Sequence, residues 1–293
     1  MVFFRKEKNM IIDTRNEASI VDGLSKLFNF SKKDFYAKID TLKNNAQYGP
    51  FFKENFFDEE IENFLNINIQ NLEELDEIYV YHLTRTKEEK NISIYSLDKV
   101  LLTENFFSNF LKEYGISFKK YSDGIHLYYQ DKDFTQNLIL DKKSNSEKNV
   151  CSCYLLKRLG FTTKLDNCIN GIFVSPTLYT DSFYYASLRD CPEILRNICN
   201  YFDINEMKRA YKLNTKYYCF IFKEKIENVI FDVDEKYGLI EKKKIFIKTL
   251  IKLLICNKDN KYKFDDEILY VRLDDKKTDI KIENIISLEE NND

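Results

Sequence analysis

The sequence predicts an α+β protein, with a helical N-terminal part followed by a body in which short strands and helices are mixed. Three observations carry that prediction. Apolar residues recur at helical spacing through much of the first 75 residues. From Glu77 onward the pattern changes to alternation, with β-branched and aromatic residues frequent. The strands that follow are short and scattered, and helices do not alternate with them one for one, which disfavours a doubly wound parallel sheet. A soft boundary falls near Asp76, separating a helical region of residues 1–75 from a mixed body of residues 76–293.

The elements can be justified in order. Ile20, Val21, Leu24, Leu27 and Phe28 share one helical face. Ser31, with Asp34 three residues on, is an N-cap for FYAKIDTLKNN. QYGP (Gln47 to Pro50) is punctuation, and EEIENFLNINIQNLEEL (Glu59 to Leu75) is helical again. EIYVYHLTRT (Glu77 to Thr86) alternates as a strand does and holds one of the two histidines, His82. Ser96 opens a helix that Gly115 closes at Ile116. GIHLYYQ (Gly124 to Gln130) is a strand carrying the other histidine, His126, whose reading is structural because no nucleophile is identified beside it. SEKNVCSCYLLKRLGF is a helix ended by Gly160. NGIFVSP is a turn, a short buried strand and a stop. YYCFIF and NVIFDV are strands. IFIKTLIKLLIC (Ile245 to Cys256) is an amphipathic helix with Phe246, Leu250, Ile251 and Leu254 on one face. DEILYVRL and DIKIENIISL are strand-like, and EENND is a polar tail.

Composition narrows the function classes. A net charge of -3 gives no support for wholesale binding to nucleic acid or to an anionic membrane. Only 7 glycines are present, and neither G-x-x-x-x-G-K-[ST] nor G-x-G-x-x-G occurs, so P-loop and Rossmann chemistry lose their main support. Seven cysteines, an odd number, with no apolar leader in MVFFRKEKNM, point to free thiols in a reducing, cytoplasmic setting. Cys151-Ser-Cys153 has no matching C-x-x-C and no nearby histidine, so no metal is expected. No apolar run reaches the roughly 20 residues of a membrane span.

Three pieces of the body fall in a telling order: YHLTRT with its H-x-T, then GIFVS (Gly171 to Ser175), then DDEILYV with Glu267 opening a late strand. This order resembles the ADP-ribosyltransferases of the poly-ADP-ribose polymerase and diphtheria-toxin-like branch, over residues 77–288 in layout and over a few residues in each motif. The resemblance implies two small antiparallel sheets with NAD, as substrate, between them. It also implies transfer of ADP-ribose to a macromolecular target or hydrolysis of NAD. It places the chain among toxins, phage-defence effectors or phage-encoded modifiers.

On that resemblance His82 donates a hydrogen bond to the adenosine ribose and Thr84 assists. Their spacing of two puts both on one face of a strand. Gly171 lets a ligand approach closely, Ser175 ends the strand, and Phe173 stacks on nicotinamide where the family has Tyr. The ring face suffices for stacking, but the family's hydroxyl is missing. Tyr179, Tyr184 or Tyr185 could supply a substitute ring. Glu267 stabilises the oxocarbenium-like ribose, as glycosidase carboxylates do. Asp265, two residues earlier, orients the acceptor. Arg85 pairs with the pyrophosphate.

Each position also has a plainer reading. His82 and Phe173 can be packing residues, Arg85 a surface cation and DDE a solvated approach to a strand. Two alternatives therefore stand. One is a non-enzymatic protein-interaction module with a degenerate fold of this type, which Phe173 favours. The other is an RNA-acting 2′-phosphotransferase-like protein. The near-neutral charge disfavours it unless Arg85, Lys157, Arg158 and Lys164 form one face.

Overall fold

The computed structural model describes residues 10–47, 55–87, 93–143, 148–162, 167–176, 186, 188–231, 237–258, 269–273 and 279–288. It is a mixed α+β structure that divides into two compact units. The first unit takes in residues 1–81 and adds 171–179 and 223–272. The second comprises 82–170, 180–222 and 273–293.

The first unit contains the expected N-terminal helices. Helix α1 (Glu17–Leu27) begins at a capping box in which Asn16 and Ser19 satisfy each other's backbone N–H groups, a signal the apolar spacing alone does not show. Helix α2 (Lys32–Gln47) starts where Ser31 accepts from the Asp34 N–H at 3.1 Å, as its sequence predicts. The stretch read as one helix from Glu59 to Leu75 is two elements. Helix α3 (Asn55–Ile67) ends at Asn68, whose side chain bonds the Phe64 carbonyl, and a 3-10 turn (Ile69–Glu74) follows.

Strand β1 (Met10–Ile12), which no alternation announces, pairs in parallel with β2 (Leu75–Thr86). Strand β7 (Asn170–Ile172) pairs antiparallel with β2 through Tyr81 and Ile172, and β10 (Tyr270–Leu273) and β9 (Val229–Phe231) continue the order. The amphipathic helix is longer than its motif, Leu239–Lys258, here α10. Its Phe246, Ile247, Leu250, Ile251, Leu253, Leu254 and Ile255 are all buried, so more than one face is covered. It packs against α1, α2 and α3.

The second unit begins at His82, inside β2. Strand β8 (Lys216–Lys225) neighbours β2, and β12 (Asn284–Ser287) pairs antiparallel with β8. Two smaller antiparallel sheets accompany them: β3 (Ser93–Tyr95) with β11 (Asp279–Lys281), and β4 (Ile116–Tyr121), β5 (Gly124–Tyr129) and β6 (Lys132–Asp133) in sequence order. The DIKIENIISL segment is thus not one strand but two with different partners.

The helix predicted from Ser96 to Ile116 is broken into α4 (Leu97–Leu102) and α5 (Phe106–Glu113). Asn105 and Ser108 form a second capping box, which restarts the chain in a new direction. Gly115, at φ 74°, closes α5 as its sequence predicts. Helices α6 (Thr135–Asp141), α7 (Lys148–Arg158), α8 (Glu193–Phe202) and α9 (Asn205–Asn214) also belong to the unit. Its core is one continuous cluster that includes Phe110, Leu111, Leu127, Leu155, Leu195 and Tyr211.

Candidate functional site

The alternation of β2 turns His82, Thr84 and Thr86 to one side, half-buried, while Leu83 and Arg85 are buried on the other. A cavity of about 330 Å³ opens in the second unit, and His82, Thr84 and Arg85 all belong to its wall. The rest of the wall is largely aromatic and aliphatic, with Tyr95, Phe106, Phe107 and Phe220 prominent. That volume sits at the low end of the ~300–1,000 Å³ typical of small-molecule sites, and the mixture of apolar wall and few polar groups is what such sites use.

His82 is fixed by one short contact. Its Nδ1 lies 2.7 Å from the carbonyl oxygen of Asn170. A carbonyl only accepts, so Nδ1 carries the proton and donates. Burial pushes the imidazole below its ordinary pKa of 6.5, and the bond to Asn170 only partly opposes this. The ring is therefore neutral at physiological pH, and Nε2 is an acceptor. This changes the expected chemistry. Toward a ribose hydroxyl His82 accepts a hydrogen bond rather than donating one. The ring also lies tilted 32° against Phe220 at 6.5 Å between centroids.

Arg85 is not the cation its motif suggests. Only 4% of the residue is exposed. Its Nη1 donates to the Arg189 carbonyl at 2.6 Å, and Nη2 to the carbonyls of Thr215 at 2.6 Å and Lys212 at 3.1 Å. Nε donates to Thr215 Oγ1 at 3.2 Å, and Tyr211 Oη donates to the Arg85 carbonyl at 2.7 Å. The guanidinium thus caps the C-terminal end of α9, where unpaired carbonyls and the negative end of the helix dipole favour a cation. Donors committed to four protein acceptors are not available to a pyrophosphate.

The remaining expected positions lie elsewhere. Gly171, Phe173 and Ser175 belong to the first unit and do not line this cavity. A Cβ on Gly171 would stand 2.6 Å from Val80 Cγ1 and 3.0 Å from the Tyr81 carbonyl oxygen, so close strand packing requires the glycine. Phe173, given a stacking role by the sequence, is 0% exposed, with its ring against Phe231 at 5.7 Å and Phe246 at 5.2 Å. That is edge-to-face core packing, and no ligand face is open. Ser175 is buried, its N–H donating to the Thr14 carbonyl at 3.1 Å. Glu267, Asp265, Tyr179, Tyr184 and Tyr185 lie outside the described residues.

Of the four residues that a basic face for RNA would bring together, Arg85 and Arg158 are buried, Arg158 is paired with Glu193, Lys157 is half-buried, and Lys164 lies outside the described residues. Among the described residues no group of three His, Cys, Asp or Glu side chains is placed to hold a metal ion, and Cys153 instead approaches Asn149 Oδ1 at 3.8 Å. No described helix is long and apolar enough to cross a membrane.

Sequence reading missed Asn170 and Cys168. Asn170 was legible only as a turn residue. Its main-chain carbonyl sets the His82 tautomer, and its side-chain Oδ1 meets Cys168 Sγ at 3.5 Å. A backbone acceptor leaves no side-chain signature, so no motif could have announced it. Compared with models of protein families, with curated proteins and with solved structures, the chain matches none.

Proposed function

We propose that this protein binds NAD through the cavity of its second unit and acts as an NAD-dependent ADP-ribosyltransferase or NAD glycohydrolase. The observation that supports the reading most is the pairing of His82 and Thr84 on one wall of a ligand-sized cavity, with the imidazole neutral. A neutral imidazole bonded through Nδ1 offers Nε2 to a sugar hydroxyl, Thr84 adds a hydroxyl on the same strand face, and the aromatic wall suits a planar base. A cavity this small fits the adenosine half of the dinucleotide. The resemblance assigns Glu267 to the ribosyl cation and Asp265 to orienting the acceptor, and both lie outside the described residues.

Nicotinamide release by the full chain tests the chemistry. Release from NAD by the wild type, falling at least ~100-fold in Glu267→Ala with NAD binding retained, is the expected outcome. Equal release from the two proteins overturns the assignment of Glu267. A second reading has its own support. The burial of Phe173 removes the stacking ring that the resemblance calls for, which favours a binding module without catalysis. NAD binding with no nicotinamide release in any variant would select it.

A further inference from the structure

His126 stands in β5 of the small β4–β5–β6 sheet and is not part of the cavity wall. Its Nδ1 lies 2.7 Å from Asp133 Oδ2 on β6, and its Nε2 lies 3.0 Å from Asp123 Oδ1 in the turn before β5. Both partners are carboxylates, which only accept. A neutral imidazole carries a single N–H and can satisfy one of them. Both contacts are hydrogen bonds only when the ring is the doubly protonated imidazolium. The two nitrogens point in opposite directions along the ring, so the three groups do not converge on one metal ion.

The surroundings are on the same sheet face. Tyr121 lies tilted 45° against the imidazole at 4.4 Å between centroids, and Phe161, just after α7, is tilted 57° against it at 5.6 Å. Tyr121 and Tyr128 share a hydrogen bond of 2.9 Å between their hydroxyls. Lys119, directly opposite His126 on β4, holds its ammonium over the Tyr128 ring at 4.5 Å. Asp133 is itself anchored, accepting the Thr135 N–H at 2.8 Å through its other oxygen. The neighbouring N–H of Ile125 donates to the Leu159 carbonyl at 2.8 Å, so the start of β5 is also where the sheet is tied to the end of α7.

We propose that His126 is a proton-operated clamp: as imidazolium it locks the 122–124 turn to β6 and holds the start of β5 against the end of α7, and on losing one proton it releases the turn. Deprotonation leaves one imidazole N–H for two carboxylates, so either Asp123 or Asp133 loses its bond. Burial lowers the His126 pKa, but the hydrogen bonds and charges of Asp133 and Asp123 outweigh it and set the group above its ordinary 6.5. For Asp133 burial acts upward, and the bonds from His126 and Thr135 outweigh it and hold the carboxyl below its ordinary 3.8. The clamp is therefore closed between these two limits. It opens as pH rises through the His126 value or falls through that of Asp133.

A proton–nitrogen NMR titration of the imidazole in the full chain, with amide exchange at Ile125 and Leu127, tests the clamp. The wild type is expected to titrate above pH 6.5, with the protection factor at Ile125, its rate relative to the unstructured chain at the same pH, falling severalfold through the same midpoint. Asp133→Asn should lower the proton affinity of His126 about tenfold. A wild-type midpoint at or below 6.5, or a protection factor at Ile125 that is flat through the midpoint, overturns the proposal. So does an unchanged midpoint in a folded Asp133→Asn protein.

Discussion

The two histidines of this chain sit in opposite environments. His82 is held by burial and by a main-chain carbonyl, and its imidazole is driven neutral. His126 is held by two carboxylates at the rim of a small sheet and is driven toward the cation. The same side chain, on two strands of similar sequence character, becomes a hydrogen-bond acceptor in a cavity wall in one place and a charged bridge in the other. What decides is the balance of burial against the partners: at His82 burial outweighs the bond to the Asn170 carbonyl, and at His126 two carboxylates outweigh burial. One region is organised by burial and the other by charge.

That division orders the expected effects. The largest belong to burial. Phe173→Ala empties a fully covered site between Phe231 and Phe246 and should cost about 3–5 kcal/mol in a denaturant titration. A loss within about 1 kcal/mol would mean the ring is not core, and would restore its candidacy as a ligand platform. Arg85→Ala leaves the carbonyls of Arg189, Lys212 and Thr215 without their guanidinium and should cost roughly 3 kcal/mol. Arg85→Lys should recover little of it, because one ammonium cannot reproduce the planar fork. Full recovery by lysine would show that only the charge matters there.

The smallest effects, and the ones that distinguish the histidines, are in pH. The folded pKa of His82 is depressed, so its contribution to stability is complete above 6.5 and is lost as pH falls below that value. The folded pKa of His126 is raised, so its contribution is complete below 6.5 and is lost as pH rises through the folded value. Stability curves of His82→Ala and His126→Gln should therefore diverge from the wild type on opposite sides of neutrality. The His126 effect is at most about 1 kcal/mol, because Asp123 and Asp133 are partly exposed. Divergence on the same side would erase the contrast.

Much of this was legible in the sequence, for reasons that can be named. Strand β2 is long and strongly patterned, so period places it, whereas for helix α10 period marked only one of the buried faces and only Ile245 to Cys256 of its length. The turn at Gly115 and the N-cap at Ser31 follow from local chemistry. The break at Asn105 was hidden because apolar residues continue on either side of it and only the Asn105–Ser108 box interrupts the helix. For the site, spacing correctly put His82 and Thr84 on one face, but spacing cannot report what Arg85 touches. Its acceptors are more than 100 residues away in the chain, and all but one are main-chain oxygens. The acidic partners of His126 are close in sequence, at Asp123 and Asp133, and their meaning depended on a hairpin register that pairs Tyr128 with Asp133.

The measurement that tests the central claim most directly is calorimetric titration of the full chain with NAD, comparing the wild type with His82→Ala and with Asp133→Asn. The account predicts saturable binding to the wild type, weakened at least ~10-fold in His82→Ala by loss of a buried hydrogen-bond partner. It predicts binding unchanged in Asp133→Asn, which acts on the surroundings of the other histidine. Binding of equal strength to wild type and His82→Ala, or no binding to the wild type at all, would contradict it.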